Sequence, residues 1–453
     1  MEKIAEQRVL VLGLGESTLS AIRFLCAENA KVWLIDSRNN PPFLDEIKNL
    51  PVHFEKNPRL TVENFQNFDF AVISPGLDFK TLSIPADFPV FSEIELFVWG
   101  VEKYCPQSQI VGITGSNGKT TTTLLTAHLL NAAGKPAIAC GNISPSALNA
   151  FLTAKDKGDF PKVWVLELSS FQLEKTFSLH LNAAVILNIT EDHLDRYNNN
   201  FEEYAATKWR IFENATSKIL GDAEFFKKNS GLPWKTADLR LLGDKQDFWV
   251  SPNGIFKGNA KIVDLKDLKM LGMHNAVNAA AALMLCESVG VFADSVLNAL
   301  KAFDAPPHRV QKVFTQNGID FIDDSKGTNV GATLAALESL EKIYKKIAIV
   351  LGGDGKGQDF SPLKNALEKS ACAVAFIGKD GAKIAEVCAL ENVPSANTKT
   401  LKNAIVFLMQ FAKDGDCVLL SPACASLDQY QNYLARAIDF LNCVKSVSGA
   451  QQC

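Results

Sequence analysis

Short, uninterrupted apolar runs, each cut off by a turn of glycine, proline or small polar residues, recur along this chain. Val9–Leu12 ends in Gly13-Leu14-Gly15, Lys31–Ile35 in Asp36-Ser37-Arg38, and Phe70–Ile73 in Ser74-Pro75-Gly76. Strands buried on both faces read in this way, and such strands belong to parallel sheets covered by helices. The pattern resumes at Ile110–Ile113, Val163–Leu166 and Ala183–Leu187, then at Phe321–Ile322, Ile347–Leu351, Val374–Ile377 and Val418–Leu420. Helix-like segments separate the runs, so the fold class is α/β. At 453 residues the chain exceeds one ordinary core, and three consecutive α/β domains are predicted. They span 1–98, 99–305 and 306–453. The first boundary lies in the Phe97–Gln107 region. The second lies at Ala305-Pro306-Pro307, where consecutive prolines stop the preceding helix. After Leu220 the sequence turns polar and irregular, before an Ala-rich helix over Asn275–Val289.

Composition narrows the function. A net charge of −4 leaves no global basic field for nucleic acid or anionic lipid, so neither is an expected partner. Ten cysteines, scattered from Cys26 to Cys453 without a tight CxxC pair, fit reduced thiols in a cytosol. The chain enters its first run within a dozen residues and shows no signal peptide or membrane span; a cytoplasmic protein is expected.

The strongest chemical signal is Val111-Gly112-Ile113-Thr114-Gly115-Ser116-Asn117-Gly118-Lys119-Thr120-Thr121. A strand, a Gly-rich turn and a helix opening on Lys-Thr form a phosphate cradle: glycines admit the backbone, and amides with the helix N-terminus face the anion. Lys119 supplies a point charge to the outer phosphates and Thr120 a hydroxyl for Mg²⁺. Ile113 stands where the strict P-loop has glycine, so the loop is a variant, and the central unit reads as a P-loop-like ATPase domain. The alternative is a Gly-rich turn without a ligand.

Glu167 closes the run Trp164-Val165-Leu166, where open α/β sheets place their ligands; it serves a metal or caps the helix start at Leu168-Ser169-Ser170. His193, among the carboxylates of Thr190-Glu191-Asp192-His193-Leu194-Asp195-Arg196, is a ligand or a solvated loop residue. Lys208 reads as a solvated helix lysine. Three later junctions offer small residues with a few polar groups: Asp323-Asp324-Ser325-Lys326-Gly327-Thr328-Asn329, Gly352-Gly353-Asp354-Gly355-Lys356 and Ser421-Pro422-Ala423-Cys424-Ala425-Ser426. Together they line one crevice. Cys424 has no paired base and reads as packing. Arg309, after the double proline, reaches a nucleotide phosphate or makes an interdomain salt bridge. Gly13-x-Gly15 with Asp36 imitates a dinucleotide fold, but Thr18 replaces the third glycine and Glu16 adds negative charge. A Rossmann-like unit holding another nucleotide stays open.

In order, GLG at 13–15, ISPG at 73–76, GITGSNGKTT at 112–121, GNIS at 141–144, ELSSFQLE at 167–174 and NITEDHLDRY at 188–197 resemble the Mur ligase family. The series continues through HNAVN at 274–278, PHR at 307–309, DDSKGTN at 323–329, GGDGK at 352–356 and SPACASLDQY at 421–430. The resemblance implies Rossmann-like first and third domains around the ATPase domain. It also implies a ligase that phosphorylates the carboxylate of UDP-N-acetylmuramoyl-L-alanine and joins it to D-glutamate in peptidoglycan precursor synthesis. ATP and two Mg²⁺ ions are implied, with Mn²⁺ able to substitute, and a monomer.

By resemblance, Gly15, Ser17, Asp36, Ser37, Arg38, Ser74, Pro75 and Gly76 hold the uridine diphosphate. Gly115, Ser116, Asn117, Gly118, Lys119, Thr120 and Thr121 hold the phosphates of ATP, Asn275 or Asn278 its adenine, and Arg309 and Asp324 its other parts. Thr120 and Glu167 serve one Mg²⁺; Asn142 and His193 meet the muramoyl group or a second ion. Lys208 becomes a carbamate supporting that ion. Lys326, Thr328, Lys356, Ser426, Leu427 and Tyr433 surround D-glutamate and the transferred phosphate. Departures from the family pattern are Glu16, Thr18, Ser144 and Tyr433. Other amino-acid donors, a folate-type ligase, a regulatory ATPase, a nucleotide-sugar sensor and a dehydrogenase are the competing readings.

Overall fold

In the computed structural model the described residues are 4–56, 65–78, 81–222, 238–270 and 272–447. The apolar runs become the inner strands of three sheets. The first sheet comprises β1 (Arg8–Leu12), β2 (Lys31–Asp36), β3 (Val52–Lys56), β4 (Phe70–Ile73) and β5 (Val90–Phe91), parallel throughout in the order β3-β2-β1-β4-β5. The second comprises β6 (Gln109–Thr114), β7 (Ala137–Gly141), β8 (Val163–Glu167), β9 (Leu181–Ile186), β10 (Ala215–Leu220) and β11 (Leu239–Leu241), in the order β11-β10-β9-β6-β8-β7. It too is parallel.

The stretch after Leu220 is more regular than its polarity predicts. Beyond residues 223–237, which lie outside the described residues, β12 (Phe248–Ser251), β13 (Gly254–Lys257) and β14 (Ala260–Val263) form an antiparallel sheet. These strands are four residues long and half-exposed, and their apolar stretches, such as 248–250 and 255–256, are brief and set among polar residues and turns. The third large sheet contains β15 (Gln311–Gln316), β16 (Ile319–Asp323), β17 (Ile347–Gly352), β18 (Ala371–Ile377), β19 (Ser395–Lys399) and β20 (Cys417–Leu420). Its order is β15-β16-β20-β17-β18-β19, with only β15 antiparallel.

The sheet orders explain how distant motifs meet. β9, β6 and β8 are neighbours, so Asn188, the phosphate loop and Glu167 emerge side by side at their C-terminal ends. β16, β20 and β17 do the same for Asp324, Ser421 and Gly353. The helices used below are α1 (Glu16–Ala27), α2 (Glu93–Tyr104), α3 (Lys119–Ala132), α4 (Ala147–Lys157), α5 (Phe201–Trp209), α6 (Met273–Ser288), α7 (Val330–Leu340) and α8 (Tyr433–Val447).

The expected boundary at residue 98 falls inside α2, so a helix rather than a linker makes that passage. One apolar core runs through it, joining Phe24 and Phe97 of the first unit to Phe151 and Trp164 of the second. Phe97 meets Trp164 edge-on at 5.4 Å, and Phe24 meets Phe151 at 6.0 Å. Glu28, buried at the end of α1, accepts from Tyr104 Oη at 2.6 Å and from Lys155 Nζ of α4 at 3.2 Å. The third unit keeps its own cores on the two faces of its sheet. No described helix is long and apolar enough to cross a membrane. Nine cysteines are free thiols; Cys453 lies outside the described residues.

Candidate active site

Between β6 and α3 the Gly-rich turn is tied to the strand end beside it. Ser116 N donates to Asn188 O (2.9 Å), Ser116 Oγ to Thr190 O (2.8 Å) and Asn117 N to Asn188 Oδ1 (2.8 Å). Ser116 Oγ also pairs with Tyr204 Oη at 2.9 Å, so this serine braces the loop instead of presenting a free hydroxyl. Gly118 caps α3 with φ 84°, and a Cβ there would lie 2.3 Å from Asn278 Oδ1 of α6. Glycine is required both by the left-handed backbone and by this approach.

Lys119 Nζ donates to Gly115 O (2.8 Å) and Ser116 O (3.0 Å). Burial lowers its pKa, with Glu167 and Asp192 opposing and Arg309 and Lys356 adding to the fall. Thr121 faces a cavity of about 740 Å³ shared with Asn117, His274, Asn275, Asn278, Arg309, Asp324 and Lys326. Thr120 faces a second cavity, of about 560 Å³, described below.

Glu167 is 2% exposed; its Oε1 accepts from Asn142 Nδ2 at 2.9 Å and its Oε2 has no protein partner. The helix-capping alternative goes to Ser169, whose Oγ accepts from Gln172 N at 3.2 Å while Gln172 Oε1 accepts from Ser169 N at 3.0 Å. An orphaned carboxylate oxygen beside a phosphate loop suits a hard cation. Among the described residues no cluster of three or more His, Cys, Asp or Glu forms a ready cage. That combination fits Mg²⁺, which takes one or two carboxylates and completes its shell with phosphate and water oxygens.

Lys208 is not the solvated lysine its helix suggests. It is 2% exposed, donates from Nζ to Gly115 O at 3.0 Å, and lies 4.8 Å from the Tyr204 ring centroid. Burial first, then Lys119, drives its pKa well below the ordinary value. His193 initiates a short 3₁₀ turn, Leu194–Tyr197, with φ 54°. Its ring meets Phe171 edge-on at 4.9 Å, and Nε2 lies 3.7 Å from Asp192 Oδ1. Burial holds its pKa down at about 4, against the pull of Asp192, so the imidazole is neutral at pH 7.

The third unit closes the far wall. Lys356 Nζ pairs with Asp192 Oδ1, and burial's upward push on that carboxylate is outweighed by Lys356 and His193, leaving a pKa of about 2. Asn329 and Asn117 exchange side-chain amide bonds at 3.0 and 3.1 Å, and Asn329 Nδ2 reaches Asp192 Oδ2 at 3.3 Å. Asp324 accepts from Ser421 Oγ at 2.7 Å, and burial raises its pKa to about 7. Lys326 Nζ lies 4.0 Å from the Tyr433 ring centroid. Near the seam His308 Nδ1 lies 2.6 Å from Asp323 Oδ2, a contact within the third unit; Arg309 makes no ion pair among the described residues and faces the cavities. Cys424 is buried packing, its thiol pushed up to about 12.

The 560 Å³ cavity lies where all three units meet, between Glu16 and Ser17, Thr120 and Asn142, and Arg309, Lys326 and Tyr433. Thr328 donates from N to Lys326 O at 2.9 Å and Ser426 is buried, both within the strand-end loops. Leu427 is 72% exposed and lines none of the cavities. Motif reading did not single out Asn329 or Arg436. Arg436 is 1% exposed and donates to Ser325 O (3.0 Å) and Cys424 O (3.1 Å), joining two of the loops from beneath.

A third cavity, of about 530 Å³, opens at the ends of β1, β2 and β4 and is lined by Gly13, Asp36, Ser37, Arg38, Ser74 and Gly76. Asp36 accepts from Leu14 N (2.7 Å) and from Arg38 Nε (2.9 Å) and Nη2 (2.7 Å), so its carboxylate shapes the turn. Gly15 N donates to Thr18 Oγ1 at 2.9 Å, which explains threonine in place of the third glycine: it caps α1. Glu16 Oε1 accepts from Ser144 Oγ at 3.1 Å, so two of the departures from the family pattern touch each other. Pro75 O accepts from Arg196 Nη1 at 3.0 Å.

A phosphate loop whose cavity is walled by strand ends from a following α/β unit defines a three-domain nucleotide-binding architecture. Family models match it in series: a MurD-like Mur ligase N-terminal domain over 7–88, the Mur ligase middle domain over 113–286 and the Mur ligase glutamate ligase domain over 308–424. The UDP-N-acetylmuramoylalanine–D-glutamate ligase of Dechloromonas aromatica is 49% identical over 446 residues, covering 97% of this chain and 98% of that protein. The ligase of the same name from Nitrosomonas europaea is 40% identical over 463 residues, covering 97% and 96%. Among solved structures, the UDP-N-acetylmuramate-alanine ligase of Thermotoga maritima aligns with a TM-score of 0.60 at 17% identity, covering 98% of this chain and all of that one. The MurF ligase of the same organism, solved with ADP, aligns at 0.60 and 15%, covering 98% of each chain. The chain belongs to the Mur ligase family.

Proposed function

We propose that the protein joins D-glutamate to UDP-N-acetylmuramoyl-L-alanine at the expense of ATP, through an acyl phosphate. The observation that carries this reading is a shared wall: Arg309 and Lys326 line both the 740 Å³ cavity beside the phosphate loop and the 560 Å³ cavity at the three-unit junction. A γ-phosphate and an acceptor carboxylate brought to that wall face each other across two cations. The names of the relatives supply the substrates.

In the first step a carboxylate oxygen attacks the γ-phosphorus and ADP departs with the bond that breaks. The amine then attacks the acyl carbon, loses a proton and expels phosphate. Both steps gather anions, and prepositioned Lys119, Lys326 and Arg309 offset that repulsion without reorganising. Thr120 and Glu167 would hold one Mg²⁺, and His193 with an anionic carbamate on Lys208 a second; the two ions would supply charge neutralisation for the phosphates. His193, beside Asp192, is the group proposed to take the amine's proton if it is not held by the second ion. Lys356 and Tyr433 stand on the amine-donor side, Asp36 and Gly76 on the uridine side. A monomer is the proposed working unit.

The test is ADP release with UDP-N-acetylmuramoyl-L-alanine, scanning amino acids. Turnover is expected with D-glutamate and not with L-alanine or a diamino acid. Lys119→Ala should fall by at least about a hundredfold. Unchanged turnover and pH profile in His193→Ala would remove that residue from the proton transfer. ¹⁸O from the substrate carboxyl is expected in the released phosphate, and its absence would exclude the acyl phosphate.

A further inference from the structure

We propose that Arg196 is a positioning residue that holds the uridine-side loop and the His193 turn in register, so that one UDP-linked substrate meets both ends of its site together. The inference rests on the function proposed above. Arg196 closes the turn that His193 opens, and its side chain is 10% exposed. One guanidinium makes three contacts on two separate segments, the 74–76 loop and the 170–174 turn. Nη1 donates to Pro75 O at 3.0 Å, inside Ser74-Pro75-Gly76. Nη2 donates at 3.1 Å to Glu174 Oε2, seven residues beyond Glu167 and itself 9% exposed on its side chain. The guanidinium carbon lies 4.1 Å from the Phe171 ring centroid, and the same ring meets His193 edge-on at 4.9 Å. Tyr197 stacks near-parallel to Phe171, at 6.3 Å and 25°.

The planar fork makes arginine specific here. Two donors at fixed spacing reach a carbonyl and a carboxylate while the flat face lies on an aromatic ring, which the single ammonium of lysine cannot reproduce. Pro75 O belongs to the first unit and Glu174, Phe171 and His193 to the second. Arg196 therefore spans the seam between the uridine pocket and the groups that face the muramoyl carboxylate.

The experiment uses the full chain as Arg196→Lys, Arg196→Met and Glu174→Gln, the last two bracketing any folding loss. Calorimetric affinity is measured for UDP alone, for ATP, and for UDP-N-acetylmuramoyl-L-alanine; KM and kcat are measured alongside. UDP touches one unit only, so its affinity should change less than about twofold, as should that of ATP. The full substrate should bind about tenfold more weakly in both Arg196 variants, lysine giving no rescue, with a smaller loss in Glu174→Gln. Equal weakening of UDP and of the full substrate would overturn the proposal, since the arginine would then only support the first pocket; so would unchanged binding of the full substrate. Failure of the underlying function shows separately, as absence of ADP from the wild type, and the comparison of UDP with its sugar conjugate still decides the role of Arg196.

Discussion

Burial strips Lys208 of solvent and leaves its amine one acceptor, Gly115 O, with the ammonium of Lys119 close by. Both influences favour the neutral amine, the form that adds to CO₂ with loss of a proton to give a carbamate. With ¹³C-bicarbonate, a carbamate carbon resonance is expected in the wild-type protein and not in Lys208→Arg, whose turnover should fall by about a hundredfold or more. A wild-type spectrum without that resonance, at saturating bicarbonate, would remove the carbamate. Lys208 also marks the limit of reading side chains in sequence. Residues inside the phosphate loop were legible because strand, glycines, lysine and threonine are contiguous. Lys208 looked solvated because its partner lies 93 residues away, and Arg196 escaped because Pro75 lies 121 away. Asn329 finds Asn117 across 212 residues. No local pattern records such pairings.

At the start of α2, Glu93 is fully buried, accepts from Leu148 N of α4 at 2.6 Å, and leaves Oε2 without a partner. Burial raises its pKa from 4.5 to about 7. The folded state therefore binds a proton the unfolded chain has released, and its contribution to stability is full below pH 4.5 and lost as pH rises through 7. The loss amounts to roughly 3 kcal/mol at most. Glu93→Gln keeps the acceptor and has nothing to titrate, so denaturant melts at pH 5 and pH 8 should differ less than in the wild type. An unchanged difference would mean Glu93 ionises freely in the fold. Among elements, legibility followed burial. β1, β4, β6, β8, β17 and β20 are buried along most or all of their length and read directly as apolar runs. Edge strands β3 and β19 alternate or face solvent, so hydrophobicity alone did not reveal them.

Across the whole molecule, the cores divide the chain differently from the three sheets. The first two units share the core around Phe24, Phe97, Phe151 and Trp164, and the Glu28 network binds them further. The third has self-contained cores and meets the second through polar contacts, Lys356 with Asp192 and Asn329 with Asn117. Residues 306–453 expressed alone should give a cooperative melt, whereas 1–98 alone should expose Phe24 and Phe97 and aggregate. A soluble, cooperatively folded 1–98 would show that the shared core is dispensable.

The core shared by the first two units has a consequence for selectivity. Under the proposed function, the cavity at the ends of β1, β2 and β4 and the phosphate loop stand at a separation set by that core and gauge the molecule laid between them. A donor with one more residue before its carboxylate overshoots the loop, and one with fewer falls short. Discrimination by length needs no contact with the added or missing atoms.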